Sequence, residues 1–194
     1  IVSFGYFTKD IADYFYVGVM EDYTLQGKTY EEVKMPQNGE NATLSGWEIN
    51  VQQQLSFLPG PLSGLGVYAN YTSTTSEAFY GSDRDKTTLP GQAGNTGNFS
   101  LSYETKKLSA RFSYALSDQY IVEVGDDADE DIYYEPANRI DISLSYDPMD
   151  NLTILADLMN VNNAPLGYFQ GSSSTPIQRE LYGPSFRVGL QYDF

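Results

Sequence analysis

The chain has 194 residues, the size of one ordinary domain, and a net charge of −15 from 26 acidic and 11 basic residues. No basic stretch could track a phosphate backbone, which argues against nucleic acid as a partner. His and Cys are both absent. Their absence excludes disulfides, thiolate chemistry, Ser-His-Asp triads and His-ligated zinc or iron within this chain.

In chain order, period-2 alternation dominates and helical periodicity is nearly missing. Strands are expected near 1–20, 41–58, 64–76, 95–105, 107–118, 138–147, 151–160 and 181–194. In the second, Trp47, Ile49, Val51, Leu55 and Phe57 oppose Glu48, Asn50, Gln52, Gln54 and Ser56, with Gln53 interrupting the apolar row. In the fourth, Phe99, Leu101 and Tyr103 oppose Asn98, Ser100, Ser102 and Glu104. The fifth sets Leu108, Ala110, Phe112, Tyr114 and Leu116 against Ser109, Arg111, Ser113, Ala115 and Ser117. The sixth sets Ile140, Ile142, Leu144 and Tyr146 against Arg139, Asp141, Ser143 and Ser145. The seventh, "NLTILADLMN", alternates more weakly, and the eighth, "RVGLQYDF", alternates to its final Phe194.

The linkers sort by length. "LPGPLSG", the Lys106–Lys107 region and "DPMDN" are short, whereas roughly 21–40, 77–94, 119–137 and 161–180 are long and polar. Strict alternation of short and long connections fits an up-and-down meander with its tight turns at one end. Transmembrane β-barrels sort their loops this way. Two readings of the faces remain. Either the apolar faces form a soluble core, or they face lipid while the polar faces line a wet lumen.

Strand length, loop sorting and an aromatic content of 14%, with 17 Tyr and 10 Phe beside one Trp, favour lipid. Phe57, Tyr71, Tyr103, Tyr146, Tyr192 and Phe194 are the expected interfacial girdles. No apolar run approaches the ~20 residues of a membrane helix. No N-terminal segment reads as a signal peptide. Ile1 sits in mid-strand, so sequence is expected to precede it.

Several stretches carry a family resemblance: "SFGYFTKDIADYF", "PQNGENATLSGWEINVQQQL" with Ala42, Gly46 and Glu48, "GLGVYANYTSTTS", "LADLMNVNNAPLGYFQG" and "IQRELYGPSFRVGLQYDF". In this order and spacing they resemble the C-terminal strands of TonB-dependent outer-membrane transporters. "LMNVNN" departs slightly from the commoner Asn-Leu-x-Asn form.

The resemblance implies an all-β, antiparallel up-and-down transmembrane β-barrel. Residues 1–194 would be eight strands of the C-terminal part of a ~22-stranded barrel, with the plug and earlier strands absent. It implies TonB-dependent uptake of a scarce solute of siderophore, cobalamin or oligosaccharide class, in the outer membrane of a Gram-negative bacterium. Expected partners are outer-membrane lipid, the barrel assembly machinery, the imported small solute, and the TonB system through the missing N-terminal plug. No cofactor and no enzymatic activity are expected. The alternative is a free-standing eight-stranded barrel with a structural or adhesive role, whose first and last strands must pair.

Candidate site residues follow. Arg187, Gly189, Tyr192 and Phe194 resemble the terminal signal read by barrel assembly machinery, besides being the last strand. Phe79, Tyr80, Tyr168 and Phe169 are candidate ligand contacts on loops, with loop packing the equal alternative. Asp126, Asp127, Asp129, Glu130 and Asp131 form an acidic loop that could hold a divalent cation. Its spacing is not that of an EF-hand, and a solvated charged loop is the ordinary reading. Glu48 and Asp141 are expected to line the lumen rather than act as a catalytic carboxylate pair. The sequons at Asn41, Asn70, Asn98 and Asn151 read as chance. No Ser sits in a Gly-x-Ser-x-Gly setting, which disfavours a hydrolase.

Overall fold

The computed structural model describes residues 1–81, 84 and 86–194; Ser82, Asp83 and Asp85, in the "EAFYGSDRD" loop, lie outside the described residues. Among the described residues fourteen strands follow one another: β1 (Val2–Ala12), β2 (Phe15–Leu25), β3 (Lys28–Asn38), β4 (Asn41–Gln54), β5 (Leu65–Ala78), β6 (Asn95–Glu104), β7 (Leu108–Ser117), β8 (Tyr120–Glu123), β9 (Ile132–Tyr134), β10 (Ala137–Met149), β11 (Leu152–Met159), β12 (Leu166–Gln170), β13 (Pro176–Glu180) and β14 (Ser185–Tyr192).

Eight of them form one antiparallel sheet in the order β1-β4-β5-β6-β7-β10-β11-β14. We call it the wall. It is an open meander: β1 and β14 are its edges and do not pair. The closure that a free-standing eight-stranded barrel needs is therefore not made. The tight connections after β4, β6 and β10 all lie at one end. At one of them the Thr105 hydroxyl accepts from the Leu108 amide at 2.9 Å, fastening a three-residue turn.

Register fixes the faces, because a one-residue slip would exchange them. Val67, Leu101, Phe112, Ile142, Leu158 and Phe186 follow one another across six strands on one face. Gln53, paired with Val67, ends this row, as its sequence position suggests. Leu101 and Leu144, in the middle of the sheet, remain 40% and 41% exposed. A continuous exposed apolar face of this kind needs a covering medium or partner. Leu65, opposite Tyr103, and Tyr71 are six residues apart on β5. At 3.3 Å per residue that is ~20 Å between aromatic rims.

The opposite face is polar and falls into two parts. On β4, β5 and β6 it carries amides and hydroxyls, and the Asn98 amide donates to Asn70 at 3.1 Å. On β10, β11 and β14 it carries ion pairs, Arg139–Asp141 at 3.1 Å and Arg187–Asp157 at 2.7 Å. Glu48 crosses to Gly5, where a Cβ would stand only 3.0 Å from the carboxylate stem. Near the tight-turn end this face holds a groove of about 430 Å³ lined by Gln52, Gln54, Tyr68, Ser102 and Arg111, among others.

The long connections are not irregular. The expected strand 1–20 ends at Ala12, because Asp13 takes a left-handed conformation (φ 51°) and turns the chain. Alternation resumes beyond it, which is why the sequence reads as one long strand. β2 and β3 then form a hairpin through 21–40, expected to be loop. The loops 119–137 and 161–180 contribute a second sheet, in the order β13-β12-β9-β8. These segments together form a cap over the end opposite the tight turns.

Candidate functional site

The cap has a small core of its own. Tyr14, Tyr16, Tyr80, Ile121 and Val124 pack with Ala42 and Ala78 of the wall, and Ile11 and Tyr133 close the cluster. By strand alternation Ile11, Ala42 and Ala78 belong to the polar face of the wall. The cap therefore leans over the polar face, not the apolar one. Ser76, buried on the same face, donates to Gln92 at 2.6 Å and accepts the Leu89 amide at 3.0 Å. That bond draws the 79–94 loop onto the wall.

Tyr80 meets both other tyrosines edge to face, with its ring centre 4.8 Å from that of Tyr16 and 5.8 Å from that of Tyr14. Their hydroxyls are satisfied: Tyr14 donates to Phe79 O at 2.7 Å, Tyr80 to Thr88 O at 2.7 Å, and Tyr16 to the Gln37 side-chain oxygen at 3.3 Å. Burial pushes the Tyr14 hydroxyl up to about 12 and raises Tyr16 and Tyr80 too, so the cluster is neutral.

Beside it lies an ion pair. Arg84 meets Asp131 at 2.6 Å, with side-chain exposures of 9% and 1%. The second Asp131 oxygen accepts the Gly125 amide at 3.0 Å. Burial raises the Asp131 carboxyl above its ordinary value, opposed by Gly125 and Arg84. This pair ties the 79–94 loop to the acidic loop. The acidic loop is tied onward to the 160–184 connection by the Gly171 amide on Asp131 O at 2.8 Å. Gly171 (φ 61°) is required there, since a Cβ would come within 2.5 Å of Asp129 O.

The candidate site residues can now be placed. Tyr80 is 8% exposed and Phe169 2%, Phe169 lying flat on Tyr133 with centres 5.1 Å apart. Both serve cap packing. Phe79 is half-buried under Lys86, whose ammonium sits 4.1 Å from the ring centre. Tyr168 reaches a groove of about 530 Å³ between the hairpin and the cap sheet, with Lys34, Glu123, Ile177, Glu180 and Tyr182.

The acidic loop does not gather its carboxylates. Asp131 turns in to Arg84, while Glu130 accepts the Asp126 and Asp127 amides and caps a short 3₁₀ turn. Among the described residues no group of three or more possible ligands is placed to hold a metal ion. Arg187 and Gly189 lie on the polar face of β14, opposite Asp157 and Leu155. Tyr192 lies on the apolar face and packs edge to face on Phe194, with centres 5.2 Å apart. Tyr14, Tyr16, Ile121 and Val124 were not foreseen; only the Tyr-x-Tyr pair after Asp13 hinted at them.

An open antiparallel wall, tight turns at one end and a folded loop cap over the polar face at the other place the chain among the large outer-membrane barrels. The family model described as "TonB dependent receptor-like, beta-barrel" matches residues 1–163. The chain belongs to the TonB-dependent receptor β-barrel family. Members are outer-membrane proteins of Gram-negative bacteria, and that is the location of this chain.

Three solved structures illustrate the likeness. The copper transporter OprC is 15% identical with a TM-score of 0.64, over 100% of this chain and 28% of that one. The siderophore receptor PiuA from Acinetobacter baumannii is 13% identical with a TM-score of 0.63, over 98% and 26%. The ferric-catecholate import receptor Fiu from K12 E. coli is 16% identical with a TM-score of 0.64, over 100% and 25%. The likeness is one of fold, and this TonB-dependent receptor barrel spans little more than a quarter of those chains. The chain matches no curated protein by sequence.

Proposed function

We propose that residues 1–194 are the C-terminal strands of a larger TonB-dependent transporter that takes up a scarce solute across the outer membrane. The observation that carries this reading is the pairing of an open, apolar-faced wall with a loop cap folded over its polar face. A wall of this kind is one sector of a barrel whose lumen is polar and whose outer surface meets lipid. The family match and the similar structures, a copper transporter, a siderophore receptor and a ferric-catecholate import receptor, support it. In this role the chain does no covalent chemistry. It supplies barrel wall and part of the extracellular rim, where Tyr168 is the best placed of the four candidate loop aromatics to meet a solute. The plug and the contact with TonB would come from elsewhere in the protein.

The terminal strand fits a second role in the same protein. Arg187, Gly189, Tyr192 and Phe194 on an edge strand suit recognition by the barrel assembly machinery. The uptake reading is tested in cells carrying the intact protein, with radiolabelled ferric siderophores, cobalamin and oligosaccharides. Accumulation of at least one that stops when TonB is deleted or the proton gradient collapsed is expected. Accumulation of none, or accumulation indifferent to TonB, would overturn it.

A further inference from the structure

The cap concentrates the chain's charge. Segments 13–40, 79–94, 118–136 and 160–184 hold 17 acidic and 5 basic residues. The five cations decide what this surface can bind. Arg84 is buried against Asp131. Lys34 lies 2.5 Å from Glu123 and 3.6 Å from Glu32, and the Glu123 contact raises its ammonium above the ordinary range. Lys86 meets Glu77 at 2.9 Å, and Arg179 lies 3.9 Å from Glu135. Lys28 stands over the Tyr30 ring at 4.9 Å. Four of the five are thus matched to a carboxylate and the fifth to an aromatic face. Asp126, Asp127 and Asp129, by contrast, have no cation within ion-pair distance among the described residues.

A site for a polyanion is built the other way, from guanidinium and ammonium groups left free to meet it. The groove between the hairpin and the cap sheet shows the difference. Its cation, Lys34 of the hairpin, is taken up by Glu123 of the cap sheet. Glu180 and Tyr182 complete it, the Tyr182 hydroxyl donating to the Glu180 carboxylate. What remains for a ligand is carboxylate and amide acceptors, the Tyr168 and Tyr182 rings and the apolar Ile177.

We propose that this cap is an electrostatic filter that admits solutes without net negative charge, uncharged or cationic, and turns polyanions away. The proposal deepens the uptake reading and takes its biological meaning from it. The physics is that of a concave surface lined by one sign of charge, which focuses its field and shifts local concentrations by roughly 10–10³. A cationic or hydroxyl-rich solute would find acceptors and tyrosine faces. A ferric tris-catecholate, with three negative charges, would find only Lys28 without a carboxylate partner among the described cations of this part of the rim.

The test measures the field directly and needs no cargo. This chain has no Cys, so Ile177→Cys, introduced into the intact transporter in cells with any other accessible thiol removed, reports from the groove. It is treated in parallel with a cationic and an anionic methanethiosulfonate reagent of similar size. The cationic reagent is expected to react at least roughly ten-fold faster, relative to the ratio for a free thiol. The preference should collapse in high salt, and should fall or reverse when Glu123→Gln and Glu180→Gln are added. An anionic reagent that reacts as fast or faster would overturn the filter. So would a ratio unmoved by the two Gln substitutions in protein that still shows the electrophoretic mobility of a folded barrel. The ratio is read without transport, so it stands or falls separately from TonB-dependent uptake.

Discussion

The wall and the cap use the same residue types in opposite ways. Across the wall, Leu101, Phe112 and Leu144 point outward and stay open, and strand is joined to strand by the backbone ladder and by polar side chains on the other face, such as Asn98–Asn70 and Arg187–Asp157. In the cap, Tyr80, Ile121, Val124 and Phe169 point inward and are buried. The wall behaves as half of a structure whose other half is its solvent. The cap behaves as a miniature soluble domain, with a core, an ion pair and a four-stranded sheet. Folding of the two should therefore respond to different insults.

The largest effects are expected where the cap is most buried. Phe169→Ala removes a ring that is 2% exposed and should cost about 3–5 kcal/mol of local stability. Arg84→Met strands Asp131 and should cost a similar ~3–5 kcal/mol. Both should speed protease cleavage of the loops in intact cells, while the barrel keeps its folded mobility in unheated gels. Loss of that mobility would show that cap and wall are one cooperative unit.

The reciprocal experiment is Leu101→Arg, on the apolar face of β6. If that face meets lipid, an Arg near mid-height should cost ~2–4 kcal/mol in urea unfolding of the reconstituted barrel. Ser102→Arg, one residue along and on the polar face, should cost far less. Equal costs would remove the distinction between the faces.

The contrast also explains what the sequence revealed. All eight wall strands were legible, because period 2 with one apolar face is the only pattern a two-faced wall can carry. Even the interruption at Gln53 kept its place in the register. The cap was not legible. Outside the hairpin its strands have only three to five residues, and its buried residues Tyr14, Tyr80, Ile121 and Phe169 come from four connections. No local period links those residues. The same reasoning explains why two of the four loop aromatics, Tyr80 and Phe169, for which ligand contact and loop packing read equally well in sequence, are buried in the cap. A lone aromatic in a polar loop looks the same in sequence whether it faces a ligand or a neighbouring loop.

Alkali should also act on the cap. Tyr14 has its hydroxyl raised from 10.0 to about 12 by burial. A group whose folded value is raised contributes stability that is complete below its unfolded value and is lost as the pH rises through the folded one. Cap stability from Tyr14 should thus hold to about pH 10 and fall between there and about 12. Loop cleavage by subtilisin across that range should show the fall, and Tyr14→Phe should lessen it, the rest coming from Tyr16, Tyr80 and Tyr133, which burial also raises.

The smallest effect is expected from Lys86, and it sets the scale for the rest. Lys86 belongs to the same loop as Arg84 and also pairs with a carboxylate, but its side chain is 48% exposed and that of Glu77 56%. Water screens such a pair, and the two flexible chains lose entropy in forming it, so ~0.2–1 kcal/mol is the expected worth. Its position over Phe79 adds a cation–π contact of comparable size at an exposed site. Lys86→Met should therefore change loop proteolysis little beside Arg84→Met, although each removes one positive charge from the same segment. Similar losses from the two would mean that charge alone holds the loop. A large difference would assign its anchoring to burial, the property that distinguishes the cap from the wall beneath it.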